Sequence, residues 1–210
     1  MIIKDHDFVQ KQLSQIESRV AAHNYAHLFT DRFRVQMVID RGVSNSNEGS
    51  KRWINKLVSR DHESFLKNCE KLLHMMSYFD NPDWRLYSSV NPRDPEMATK
   101  LLIADLVMDI GDDANDKKYL NINSRFVSAL SVPESRDYCR DQYFLVDVDT
   151  TEIDVAKTVM QALGDDTALM YDTPNGFHIL TQKFDTRIID NIEHVSFKRD
   201  GLILLAWNKN

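Results

Sequence analysis

Cysteine, glycine and proline are all scarce: 2, 6 and 5 residues in a chain of 210. Two lone cysteines, Cys69 and Cys139, cannot complete a structural zinc site or a disulfide framework. Free thiols and a start too polar for a secretory leader, Met1-Ile2-Ile3-Lys4-Asp5-His6-Asp7, give a reducing, cytoplasmic setting as the expectation. No apolar run approaches the roughly 20 residues that span a bilayer, so no membrane partner is expected. An internal repeat and a low-complexity tract are also missing. Positive charge is short as well. The net charge of −6 excludes a generally basic coat for nucleic acid, though not a local basic groove. What is present, 42% hydrophobic and 28% charged residues, is the composition of a globule able to bury a core.

Periodicity orders the chain. Val9, Leu13, Ile16 and Val20 form one stripe and predict a helix over 5–29; His6, His23 and His27 lie near it without a third metal ligand at suitable spacing. Alternation over Phe33–Ile39 predicts a strand. Gly42–Ser50 is a polar loop without the glycine spacing of a phosphate loop. Trp53, Leu57, Val58, Phe65, Leu66, Leu72, Leu73 and Met76 predict a helical region over 50–79, with Lys51, Arg52, Lys56 and Arg60 as a basic, solvated face. Trp84–Val90 reads as a strand closed by Asn91-Pro92-Arg93, from which Arg93 is expected to project at the mouth of the sheet. Pro95 opens a helix running to Met108, acidic residues 111–116 form a surface turn, and Asn121–Leu130 is a further helix.

Tyr143-Phe144-Leu145-Val146-Asp147-Val148-Asp149 is a buried strand that ends in two acids. Side chains alternate along a strand, so Asp147 and Asp149 share a face about 6–7 Å apart. Two buried like charges demand a positive partner, and one divalent ion or a pair of them meets that demand. A helix over 154–163 follows, ended by Gly164. Ala168–Tyr171 and Phe177–Thr181 then flank the turn Asp172–Gly176 as a hairpin, which carries His178 toward the acids. A short helix over 186–192 and strands over 195–197 and 202–207 complete the chain. Glu152 stands where a calcium loop requires glycine, which excludes that reading of the acids. A third acid is available at Asp200, with Asp172, Asp185 and Asp190 as rivals.

In order and spacing, these motifs resemble the catalytic core of the archaeo-eukaryotic primase superfamily, especially the primase-polymerases of plasmids and viruses. Leu145-Val146-Asp147-Val148-Asp149 matches its first motif, and Thr173-Pro174-Asn175-Gly176-Phe177-His178 its second, with Pro-Asn-Gly-Phe in place of the more glycine-rich approach usual there. Asp200 stands for its third, and Asn91-Pro92-Arg93 fits an upstream strand end common among relatives. The likeness covers roughly 84–207. It implies an α+β, RRM-like, mostly antiparallel sheet with packed helices over 81–210, beside a mainly helical region over 1–80.

The same resemblance implies metal-dependent nucleotidyl transfer in DNA replication. Asp147, Asp149 and Asp200 would hold Mg²⁺ or Mn²⁺, and His178, Asn175, Arg93 and Lys183 would meet the nucleoside triphosphate. The implied partners are a single-stranded nucleic-acid template and a separate helicase or replication protein. Two alternatives fit the residues: a non-catalytic nucleotide- or nucleic-acid-binding module on the same fold, and an acidic protein-interaction factor.

Overall fold

Hydrophobic residues recur at two periods along the chain, that of a helix and that of a strand. The computed structural model describes residues 2–22, 33–40, 52–77, 84–110, 121–137, 142–164 and 168–207. Helix α1 (Ile2–Ala22) leads into strands β1 (Arg34–Asp40) and β2 (Arg52–Ser59), helix α2 (His62–Ser77) and strand β3 (Trp84–Ser89). Helices α3 (Pro95–Ile110) and α4 (Ile122–Ser131) follow, then β4 (Tyr143–Val148), α5 (Ile153–Leu163), and strands β5 (Ala168–Thr173), β6 (Gly176–Gln182), β7 (Val195–Lys198) and β8 (Leu202–Trp207). No helix among the described residues is long and apolar enough to cross a membrane.

The architecture is α+β, with two antiparallel four-stranded sheets where the sequence suggested one. The first has the order β2-β1-β3-β8 and the second β5-β6-β4-β7. Strand β1 pairs with β3, so residues from both sides of position 81 share a sheet. Helices α1 and α2 cover one face of it. The expected stripe of α1 is buried at Val9, Leu13 and Ile16, and α2 buries Phe65, Cys69, Leu72, Leu73 and Met76 against Val38, Leu86, Ile203 and Leu205. Gln36 is fully buried beneath α2, and its amide donates to the Phe65 carbonyl at 2.9 Å and accepts from Asn68 at 3.2 Å. Such pairing is what makes a buried amide tolerable.

The helix expected over 50–79 is corrected: its first part is the edge strand β2. Asp61 sets the boundary. Its carboxylate accepts from the Ser64 N–H at 2.7 Å, while Ser64 Oγ accepts from the Asp61 N–H at 3.2 Å. This reciprocal cap starts a helix at His62 and not at residue 50. The helix expected over 186–192 is only a 3₁₀ turn, Thr186–Ile188. Expectations for 23–29, 42–50, 111–116 and Cys139 fall outside the described residues.

In the second sheet β4 runs between β6 and β7. Val146 and Val148 pack with Ile179 against Ala156 and Val159 of α5. The alternate residues Leu145 and Leu180 join the core beneath the first sheet, so the two sheets share a core. Asn91 fastens them. Its Nδ2 donates to the carbonyls of Tyr143 (3.0 Å) and Arg199 (3.1 Å), and its Oδ1 accepts from the Tyr143 N–H (2.8 Å). The side chain thus mimics a strand partner at the start of β4.

Candidate active site

Strand pairing brings the acids and the histidine together. The two-residue turn Pro174-Asn175 fixes the β5–β6 register, which places Tyr171 opposite His178, and β6 in turn places His178 opposite Asp147. His178 Nε2 lies 3.3 Å from Asp147 Oδ1, and His178 Nδ1 lies 2.9 Å from the Tyr171 hydroxyl. An ionised carboxylate only accepts, so the ring proton sits on Nε2 in the neutral histidine and Tyr171 donates to Nδ1. The third contact comes from the other neighbouring strand. Lys198 stands opposite Leu145, and its ammonium reaches diagonally to Asp147 Oδ2 at 3.1 Å.

Burial pushes the Asp147 carboxyl pKa up, but His178 and Lys198 outweigh it and bring the value down to about 2. Asp147 is therefore an anion at any ordinary pH. Asp149, two residues on, is exposed, and its backbone N–H donates to the His194 carbonyl at 2.8 Å.

These groups line a cavity of about 260 Å³ between the sheets. Asp147, Asp149, His178, Asn175, Lys198 and Asp200 face it from the second sheet and its turns, and Ile39, Arg85, Tyr87 and Leu204 from the first. Of the four candidate third acids, Asp200 is the one at this cavity. Asp172 lines a separate groove beside α1, Asp185 pairs locally with Arg187, and Asp190 is exposed.

Two expected phosphate ligands lie elsewhere. Arg93 does not project from the sheet. It is 3% exposed, and its guanidinium donates to Asp200 Oδ2 at 2.7 Å and to the Val132 carbonyl at 3.1 Å. The carboxylate of Asp200 draws it inward, because a buried acid needs a buried cation. Lys183 is exposed beyond the far end of β6, five residues from His178, which at strand rise is about 17 Å.

Among the described residues, no group of three or more His, Cys, Asp and Glu side chains is arranged to hold a metal ion. A small hard cation does not need such a cage, since it is held by one or two carboxylates together with substrate phosphates. Asp147 and Asp149 are a donor set of that chemistry. Asp200 is not, being committed to Arg93. The strength of the existing pairs differs. The Arg93–Asp200 side chains are 2% and 9% exposed, and removing one partner of a buried pair costs about 3–5 kcal/mol. The Lys198 side chain is 54% exposed, and such a pair contributes about 0–1 kcal/mol.

Lys198, Arg85 and Tyr171 were not found from the sequence. Tyr171 was within reach of register arithmetic, because a two-residue turn after Thr173 sets it opposite His178. Lys198 had a weaker signal, its alternation with Asp200 across a turn. Arg85 had none, since it belongs to the other sheet. Set against protein families, curated proteins and solved structures, the chain matches none of them.

Proposed function

We propose that the cavity between the sheets binds a nucleoside triphosphate and that the protein is a metal-dependent nucleotidyltransferase, a minimal primase-polymerase joining nucleotides on a nucleic-acid template. The observation that carries the reading is the contact of Asp147 with His178 at 3.3 Å in a cavity that Asp149 also lines. Three segments distant in sequence meet there in the order the resemblance requires. In this reading the second sheet with α5 is the RRM-like half of a primase-like core, and a separate helicase or replication protein is a partner.

A Mg²⁺ or Mn²⁺ ion on Asp147 and Asp149 would activate the attacking 3′-hydroxyl and stabilise the leaving pyrophosphate. The remaining work belongs to the chain. Asp147 is kept ionised by its neighbours, so it enters the reaction already able to accept a cation. Tyr171 holds the His178 ring so that its Nε2 proton points at Asp147 Oδ1 on the cavity wall, where a phosphate oxygen bound beside that carboxylate would share it. Asn175, exposed at the turn, offers an amide to the same ligand. Arg85 supplies positive charge from the opposite wall.

A second reading is favoured by one observation: Asp147 and Asp200 both already have protein cations as partners. A module that binds a nucleotide without turning it over needs no bare acids. Primer extension with Mn²⁺ separates the two. Asp147→Ala and Asp149→Ala are each expected to abolish incorporation while the far-ultraviolet circular dichroism stays unchanged. Full incorporation by either variant would exclude the transferase reading. Nucleotide binding by the parent with no product under any metal would select the second one.

A further inference from the structure

Among the described residues, Arg93, His178 and Lys198 contact acids around the cavity, and they are held very differently. Arg93 is buried on Asp200 and fixed from behind by the Val132 carbonyl. His178 is buried and anchored on its far side by Tyr171. Lys198 has neither restraint. It ends a four-residue strand that pairs with β4 alone, at the sheet edge, and its side chain is 54% exposed. Its Nζ is 3.1 Å from Asp147 Oδ2, on a flexible four-carbon stem whose charged head is free to sweep several ångströms.

We propose that Lys198 is an exchangeable counter-ion. In the nucleotide-free protein it occupies Asp147 Oδ2, and when a divalent cation arrives with a triphosphate it releases that oxygen and pairs with the phosphates. The inference rests on the nucleotide-binding reading above and adds to it the residue that gates the site.

The charges around the cavity favour this. Asp200 is neutralised by Arg93, which leaves Asp147 and Asp149 as the acids facing an incoming polyanion, with Arg85 on the opposite wall. With Lys198 on Asp147 one of those charges is masked until a metal replaces it. The released ammonium is then beside the phosphates, whose charge the metal only partly offsets. Arg93 cannot make this exchange, because leaving would strand Asp200 in a buried site. His178 and Lys198 share Asp147, but the His178 ring is buried and tethered by Tyr171, whereas the Lys198 head is solvated and can move while the arriving cation takes over the carboxylate oxygen.

The test measures binding with the intact protein, apart from turnover. Free Mn²⁺ is followed by electron paramagnetic resonance, and ATP and dATP in the presence of Mn²⁺ by calorimetry, for the parent, Lys198→Ala, Lys198→Gln and Asp147→Ala. Without nucleotide, both Lys198 variants are expected to bind Mn²⁺ at least threefold more tightly, because a competing cation is gone. They are expected to bind the triphosphates at least tenfold more weakly, because a phosphate ligand is gone. These opposite signs distinguish exchange from a structural role, which would weaken both or neither. Unchanged Mn²⁺ affinity, or unchanged triphosphate affinity, in a folded Lys198 variant overturns the exchange alone. A parent that binds neither triphosphate, or an Asp147→Ala variant that binds Mn²⁺ and triphosphate as the parent does, overturns the nucleotide-site reading and the exchange with it.

Discussion

Asp147 lies on β4 and Asp149 just beyond its end, yet among the described residues only the first is held by side chains of both neighbouring strands, His178 and Lys198. Its carboxyl is held near 2 in the folded protein, whereas an unfolded aspartate titrates near 4. A depressed folded value adds stability that is complete above the unfolded value and is lost as pH falls through the folded one. The urea midpoint of the parent should therefore fall more between pH 5 and pH 2.5 than that of Asp147→Asn, which has no proton to take up there. Equal falls would show that the carboxylate is not stabilised by its neighbours. Arg93 makes a different prediction. Arg93→Ala strands Asp200 in a site 9% exposed and should cost about 3–5 kcal/mol in denaturant unfolding. The double variant Arg93→Met with Asp200→Leu should recover much of that loss, since apolar residues of similar volume often replace a buried pair without penalty. The contrast also marks what was legible. Asp147, Asp149 and His178 carry their signal in local pattern: a strand end, a turn and a following strand. The partner of Arg93 lies 107 residues away, and nothing nearby in the sequence says that this guanidinium turns inward.

At the scale of elements, the β5–β6 hairpin forms where the sequence predicts it, and its glycine has a role there that the sequence does not contain. Gly176 is the one glycine in a motif that is usually richer in them. In the fold it lets the hairpin lie against the end of the acid-bearing strand: a Cβ there would stand 2.0 Å from the Val148 carbonyl oxygen and 2.6 Å from that of Thr150. Backbone cannot move aside as a flexible side chain can, so Gly176→Ala should cost at least the upper part of the usual 1–3 kcal/mol for overpacking. It should also weaken triphosphate binding by shifting His178. Gly164→Ala is the control. With φ +86° and nothing within 4 Å, it meets only backbone strain of about 1–2 kcal/mol and should leave binding alone. A Gly176→Ala protein as stable as the parent would mean that the hairpin is not seated on β4. Strand β2 is the opposite case, an element misread. Leu57 packs into the core on one face of the sheet and Val58 into the core on the other. Apolar residues at 53, 54, 57 and 58 repeat every four positions, as on a helix, whereas Leu57 and Val58 sit on a strand covered on both faces. Only the pairing with β1 resolves the ambiguity, and that pairing is tertiary.

For the whole molecule, the question is whether residues before 81 form an appendage or part of the core. Strand β1 hydrogen-bonds to β2 on one side and β3 on the other, and α1 and α2 close the face that carries Leu86, Ile203 and Leu205. The cavity itself takes Ile39 from β1 as one of its walls. Removing residues 1–80 would leave β3 an unpaired edge and expose that apolar face, a combination that favours association over folding. The full chain should therefore unfold in one cooperative transition, with loss of tertiary signal and loss of triphosphate binding at the same midpoint. Residues 81–210 alone should bind a hydrophobic dye, lack a cooperative transition and bind no nucleotide. Phe65→Ala provides a gentler version, since this ring is fully buried between α2 and the first sheet, remote in sequence from every acid of the site. It should cost about 3–5 kcal/mol and lower the midpoint for binding by the same amount as the midpoint for unfolding. If 81–210 folds by itself and keeps the site, the first sheet is a support that the chemistry can do without. If it does not, the cleft exists only because the two sheets fold as one.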